Sequence, residues 1–111
     1  PVGKAIRQAD NRLEITSTEG DAVKAMFAGT VRLARKHLEY GNVIVVRHQI
    51  GLETVYANNA QNLVDVGDVV KAGQTIAIVG SHEGKTYLNF WVMVNGARIN
   101  PETILSLKSH K

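Results

Sequence analysis

Thr86-Tyr87-Leu88-Asn89-Phe90-Trp91-Val92-Met93-Val94 alternates two sets of side chains. Leu88, Phe90, Val92 and Val94 form one set; Tyr87, Asn89, Trp91 and Met93 form the other. Successive strand residues point to opposite faces, so this alternation predicts a β-strand with the aliphatic-plus-Phe set in the core. The mixed set must then face something else. Asn95-Gly96 follows at once. That dipeptide suits the two positive-φ positions of a tight hairpin turn, which would return the chain through Ala97 to residue 99.

Working outward, the rest of the chain reads the same way. Val43-Ile44-Val45-Val46 is a β-branched run between Gly41-Asn42 and a turn at residues 49–51. Thr75-Ile76-Ala77-Ile78-Val79 lies between Gly73 and Gly80. Residues 29–33 and 52–56 are further strand candidates. One internal echo exists: Gly20-Asp21-Ala22-Val23-Lys24-Ala25 recurs as Gly67-Asp68-Val69-Val70-Lys71-Ala72. Both copies read as a Gly-Asp turn feeding a short strand whose valine points inward while its lysine stays in water. Two copies are too few for a solenoid. Only residues 101–107 look helical, with Asn100 as cap and Pro101 at the first helical position. The expected fold is all-β, an antiparallel sandwich or barrel-like domain with a short C-terminal helical turn.

The 111 residues suit one domain spanning 1–111. A chain of this size buries roughly two-thirds of its unfolded surface, enough for one core. The apolar fraction is 44%, and no apolar run reaches the roughly 18 residues of a membrane span, so no membrane insertion by this domain is expected. There is no cysteine, which excludes disulfides and thiolate metal sites. The formal charge is +3 and the isoelectric point near 9.4. Arg32, Arg35, Lys36 and His37 form the densest cationic patch, and Lys108, His110 and Lys111 close the chain. These read as a solvated face and a tail. Nucleic-acid binding would need basic residues interleaved with exposed aromatics, or a reading helix, and the sequence offers neither. The opening at Pro1, without a charged or apolar leader, reads as a piece of a longer chain.

Several segments together resemble the LytM/M23 cell-wall peptidase family. They are GDAVKAMFAGTV at residues 20–31, YGNVIVVRH at 40–48, LETVYA at 52–57 and VGDVVKAGQTIAIVG at 66–80. Leu88-x-Phe90, Val94-Asn95-Gly96 and Asn100-Pro101 resemble the closing strand, hairpin and terminus. The ordered set covers almost the whole chain. It implies the family's duplicated hybrid β architecture.

The resemblance also implies a site. Active members hold zinc with a His and an Asp four residues apart and with the second His of an H-x-H; two further histidines act on the water. Such a site needs three protein ligands and one open position. Carried over, the first pair falls on Asp10 and Glu14. The His after Tyr56-Ala57 falls on Asn58, and the H-x-H falls on Tyr87 and Asn89. Carboxamide and phenol oxygens are poor zinc ligands beside imidazole. An amide does not titrate, and a phenol does so only near pH 10. No metal, no cofactor and no hydrolysis by the family mechanism are therefore expected. His37, His48, His82 and His110 stand at no metal-like spacing and read as surface or structural residues.

Within the family, the wholesale loss of histidines resembles the EnvC-like septal amidase activators. This implies an exported, periplasmic or envelope-associated protein whose partner is a cell-wall amidase or another divisome or envelope protein. The degenerate groove, taken as Asp10, Glu14, Tyr56, Asn58, Tyr87, Asn89 and Trp91, is the expected partner surface, since Trp, Tyr and Met favour interfaces. Against this stands the simpler reading that Trp91 only covers the sheet. A peptidoglycan-binding module without an enzyme partner is the alternative. Residual zinc hydrolysis is a further possibility that metal analysis would decide. A biotinyl or lipoyl carrier would need a modifiable lysine at a hairpin tip, but Lys24-Ala25-Met26 lies in an expected strand.

Overall fold

The structure, a computed structural model, describes residues 12–49 and 51–99 and the backbone of residues 5–7. Asp10, the capping Asn100, the helical turn expected at 101–107, and the tail with Lys108, His110 and Lys111 lie outside the described residues.

The described residues form eleven strands and no helix: β1 (Ala5–Arg7), β2 (Leu13–Thr16), β3 (Ala22–Lys24), β4 (Gly29–His37), β5 (Gly41–Arg47), β6 (Leu52–Asn62), β7 (Val69–Val70), β8 (Thr75–Val79), β9 (Ser81–His82), β10 (Lys85–Val94) and β11 (Ala97–Ile99). All pairings are antiparallel. The main sheet runs β1-β2-β10-β6-β5-β4-β7, with β11 beside β10 and with β3 and β8 joined on through β6. β4 and β6 are longer than their apolar runs suggest, because backbone pairing continues past them into polar residues.

β10 sits between β2 and β6 and carries out the predicted alternation. Leu88, Phe90 and Val92 are buried in the main core with Val23, Ile44, Val46, Tyr56, Val70 and Ile76, while Val94 is half-buried at the strand end. The opposite face is covered as well: Trp91 packs with Val43, Val45, Val55 and Ala57. Burying a side chain of this kind contributes about 1.5–3 kcal/mol relative to exposure, so both faces of β10 hold the sheet in register. Asn95 and Gly96 take φ of 50° and 86°, the two positive values that the type I′ hairpin demands.

The internal echo is one turn used twice. Gly20 and Gly67 sit at φ 89° and 95°. Asp21 Oδ2 accepts from the Thr18 N–H at 2.9 Å, and Asp68 Oδ2 accepts from the Asp65 N–H at 2.8 Å. Val23 and Val70 are buried, and Lys24 and Lys71 are exposed. The first copy feeds β3 onto β8 and the second feeds β7 onto β4.

Candidate functional site

The register of three strands gathers the residues singled out from sequence. Across β2 and β10, Glu14 faces Asn89 and Thr16 faces Tyr87. Across β10 and β6, Asn89 faces Ala57. Beside them opens a cleft of about 550 Å³, lined by Arg12, Tyr40, Asn58, Tyr87 and Asn89, with Lys36, His37, Glu39 and His82 also in its wall. Asp10, expected in this group, lies outside the described residues.

The lining of the cleft includes a residue that sequence reading did not single out. Arg12 Nη1 donates to Asn89 Oδ1 at 3.0 Å and lies 3.5 Å from Glu14 Oε2. One guanidinium thus joins Glu14 and Asn89 across the β2–β10 pairing. Arg12 stands two residues before Glu14, so strand periodicity puts both on one face; that was the available signal.

Asn58 works on the backbone. It takes φ 67°, a left-handed conformation that Asn tolerates better than most residues. Its Nδ2 donates to the carbonyls of Gly80 (3.1 Å) and Tyr87 (2.8 Å), and its N–H donates to Tyr40 O at 2.7 Å. Gly80 must be glycine here, because a Cβ would come within 2.5 Å of Asn58 O and 2.8 Å of Ala60 N. Asn58 therefore clamps the start of β5, the end of β8 and the start of β10 together.

Tyr87 cannot serve as a proton relay near neutral pH. Burial, then the nearby Glu14 carboxylate, push its phenol above the ordinary value of 10.0. The donor set does not fit zinc. The Asn89 oxygen is taken by a cation, the Asn58 amide is turned to two carbonyls, and among the described residues no imidazole is grouped with Glu14 to hold a metal. Among the described residues, no group of three or more His, Asp or Glu side chains is placed to hold a metal ion. Of the histidines, His37 stacks on Tyr40 (4.8 Å between ring centroids) and His82 lies 3.8 Å from Glu83. Both border the cleft as surface groups. His48 is turned inward to Ala28 and Thr54.

Two expected groove residues are placed elsewhere. Tyr56 is 1% exposed and points into the main core, where its hydroxyl meets the Met26 N–H and Thr54 Oγ1. It cannot touch a partner, and its assignment to the groove is corrected. Trp91 is on the expected face but only 6% exposed. The Tyr40 ring lies 5.4 Å away and the Arg98 guanidinium stands 4.4 Å from the indole centroid. The indole lines an adjoining apolar hollow with Leu33, Tyr40, Val55 and Met93, and not the polar cleft. The surface that is both polar and accessible is built from Arg12, Tyr40, Asn58 and Tyr87, with Asn89 buried at its floor.

Comparison with known proteins agrees with this geometry. The model for peptidase family M23 matches residues 9–101. Murein hydrolase activator EnvC of Escherichia coli is 42% identical over 90 residues, covering 79% of this chain and 22% of that protein. Murein hydrolase activator NlpD of Escherichia coli is 36% identical over 91 residues, covering 80% of this chain and 24% of the relative. The chain thus spans about a quarter or less of the length of these relatives. Among solved structures, lysostaphin from Staphylococcus simulans matches with TM-score 0.80 at 26% identity, covering 96% of this chain and 49% of the other. A zinc-containing peptidase from Vibrio cholerae matches with TM-score 0.76 at 30% identity, covering 81% and 28%. With the family model matched over most of its length, the chain belongs to peptidase family M23.

Proposed function

We propose that this chain is a non-catalytic M23 domain, one unit of a longer envelope protein, that binds and activates a cell-wall N-acetylmuramoyl-L-alanine amidase. The observation that carries the reading is the Arg12 bridge. Glu14 lies opposite Asn89 across β2 and β10, and an organic cation, the Arg12 guanidinium, bridges them. A cleft kept open without its ligands suits recognition better than hydrolysis. The activators of murein hydrolases among its relatives support the same reading. Relatives described as lipoproteins support an envelope location. The residues offered to the partner are Tyr87, Tyr40 and Arg12 of the cleft lining.

The test uses the full-length protein and its cognate amidase, purified separately, with dye-labelled sacculi as substrate. The domain alone is expected to release no dye, and the amidase alone little. Together they should release it, and Tyr87→Ala should weaken the stimulation with folding unchanged. Absence of stimulation by the wild-type protein would sink the proposal. Co-sedimentation with sacculi in the absence of amidase would instead favour a peptidoglycan-binding module.

A further inference from the structure

β4 spans Gly29–His37, but only its beginning has a neighbour on the side away from β5. β7 pairs with Gly29 and Thr30. The Val31 N–H donates to Asp68 O, and Val31 O accepts from the Gly67 N–H. From Arg32 to His37, no described residue pairs with that edge. We infer that this open edge receives an extended acidic segment of a second protein, distinct from the amidase. The segment adds a strand to the sheet and sets an apolar side chain in the hollow beside Trp91.

Three features of the edge specify that occupant. The first is its length. Residues 32–37 at about 3.3 Å each make an edge of roughly 20 Å, the length of an ordinary strand. Unpaired N–H and C=O groups along such an edge offer main-chain hydrogen bonds to a strand that fits.

The second is the hollow. Leu33, Arg35 and His37 line it on the β4 side, and Val45, Val55 and Trp91 lie deeper. Its volume of about 220 Å³ is below the roughly 300 Å³ at which small-molecule sites begin, and it suits a single side chain. The apolar groups are recessed, with Val45 and Trp91 each 6% exposed. A surface that lies in a membrane needs apolar groups that protrude. In strand addition, the backbone supplies affinity and a pocket for alternate side chains supplies specificity.

The third is charge. The edge reads Arg32-Leu33-Ala34-Arg35-Lys36-His37, without an acid. Arg32 is engaged by Glu53, which Arg47 shares. Arg35 and Lys36 are exposed, and neither has an ion-pair partner among the described residues. Cations on an edge keep copies of one chain from pairing with each other. The same cations favour a strand that brings carboxylates opposite them. The occupant therefore carries a bulky apolar residue opposite Leu33 and carboxylates opposite Arg35 and Lys36.

The probe is a blocked peptide, Thr-Glu-Glu-Val-Phe-Thr. Laid antiparallel to β4, it puts Phe opposite Leu33 and its glutamates opposite Arg35 and Lys36. Calorimetry measures its binding to the full-length protein, and hydrogen exchange read by mass spectrometry follows the amides of residues 32–37. Binding is expected, with slowed exchange at those amides. A peptide with lysines in place of the glutamates should not bind. One N-methylated along its backbone should lose most of the affinity, because it cannot donate to the edge. Arg35→Glu should weaken binding about tenfold, since it turns a cross-strand attraction into a repulsion. A peptide with lysine opposite position 35 should restore binding to that variant, and thermal unfolding serves as the folding control.

Absence of binding up to about 1 mM peptide would overturn the inference. Equal binding of the lysine peptide or of the N-methylated peptide would overturn it too, as would unchanged binding by folded Arg35→Glu. A dimer in sedimentation that protects residues 32–37 would assign the edge to a second copy instead. Binding to phosphatidylglycerol vesicles without binding of the peptide would assign it to a membrane, and either result rejects the acidic strand. Amidase stimulation, read separately by dye release, should not change in Arg35→Glu. Its loss in the folded variant would make the edge part of the amidase site and overturn the assignment to a second protein.

Discussion

His48 Nε2 and Thr54 Oγ1 lie 2.8 Å apart, and that contact sets the direction of an inward hydrogen-bond chain. The Met26 N–H can only donate, so Tyr56 Oη accepts from it at 2.9 Å. The Tyr56 hydroxyl then donates to Thr54 Oγ1 at 2.8 Å, and Thr54 donates to His48 Nε2. His48 Nδ1–H closes the chain on Ala28 O at 2.6 Å. Every link is satisfied only when the imidazole is neutral with its proton on Nδ1. A proton on Nε2 would make His48 a donor to Thr54 Oγ1 and take from the Thr54 hydroxyl the acceptor it has in this chain.

Stability should therefore fall on mild acidification. Burial pulls the His48 pKa below its ordinary 6.5, outweighing the Ala28 carbonyl and the Glu53 charge, which push it up. The unfolded chain then takes up a proton at higher pH than the folded one. Stability is complete above pH 6.5 and declines as pH falls from there through the folded-state value. Urea unfolding midpoints from about pH 8 to 5 will show this slope. His48→Asn should flatten it, because this variant lacks the group whose folded-state pKa is lowered.

Tyr56→Phe should cost about 1–3 kcal/mol of unfolding free energy. It removes the acceptor for the Met26 N–H and the donor to Thr54 while leaving the ring in the core. Because the ring is 1% exposed, amidase stimulation per folded molecule should not change. A selective loss of stimulation with normal stability would show that Tyr56 has a surface role after all.

Asn58→Ala and Asn58→Gly should separate its two jobs. Both variants lose the bonds to Gly80 O and Tyr87 O. Only alanine also places a Cβ at φ 67°, which costs roughly 1–2 kcal/mol more than glycine does. Thermal melts should therefore rank wild type above Asn58→Gly and Asn58→Gly above Asn58→Ala. Equal stability of the two variants would mean that the left-handed backbone is not strained there.

Much of the fold was legible because its signals are local. The alternation of residues 86–94, the Asn95-Gly96 turn and the repeated Gly-Asp turns each specify their conformation within a few residues. The site was legible only through the family pattern, since Glu14 meets Asn89 through a register between strands far apart in sequence. Tyr56 was misplaced for a related reason. Residues 56 and 58 share parity, so a regular strand would send both to one side. The positive φ at Asn58 and the irregular β5–β6 pairing, in which Asn42 faces Asn59 while Ile44 faces Tyr56, break that regularity, sending Asn58 to the cleft and leaving Tyr56 in the core. Trp91 lay on the expected face, but Tyr40 comes from another hairpin, and no local pattern shows that it covers the indole together with Arg98 of β11.

Trp91→Ala should act mainly on stability and Tyr87→Ala mainly on recognition. Trp91 is 6% exposed and packs against Val43, Val45, Val55 and Ala57, so truncation leaves a cavity costing about 3–5 kcal/mol. It also removes the surface over which Arg98 stands. Any loss of amidase stimulation by this variant would follow the loss of folded protein. Tyr87 is half-buried at the cleft edge with no covering ring. Its truncation should cost about 1 kcal/mol and reduce stimulation at temperatures where the protein stays folded. Stimulation assayed well below each variant's melting temperature, with folded fraction measured by circular dichroism, separates the two effects. If Trp91→Ala lowers stimulation at full folding while Tyr87→Ala does not, the partner docks on the apolar hollow instead of the polar cleft.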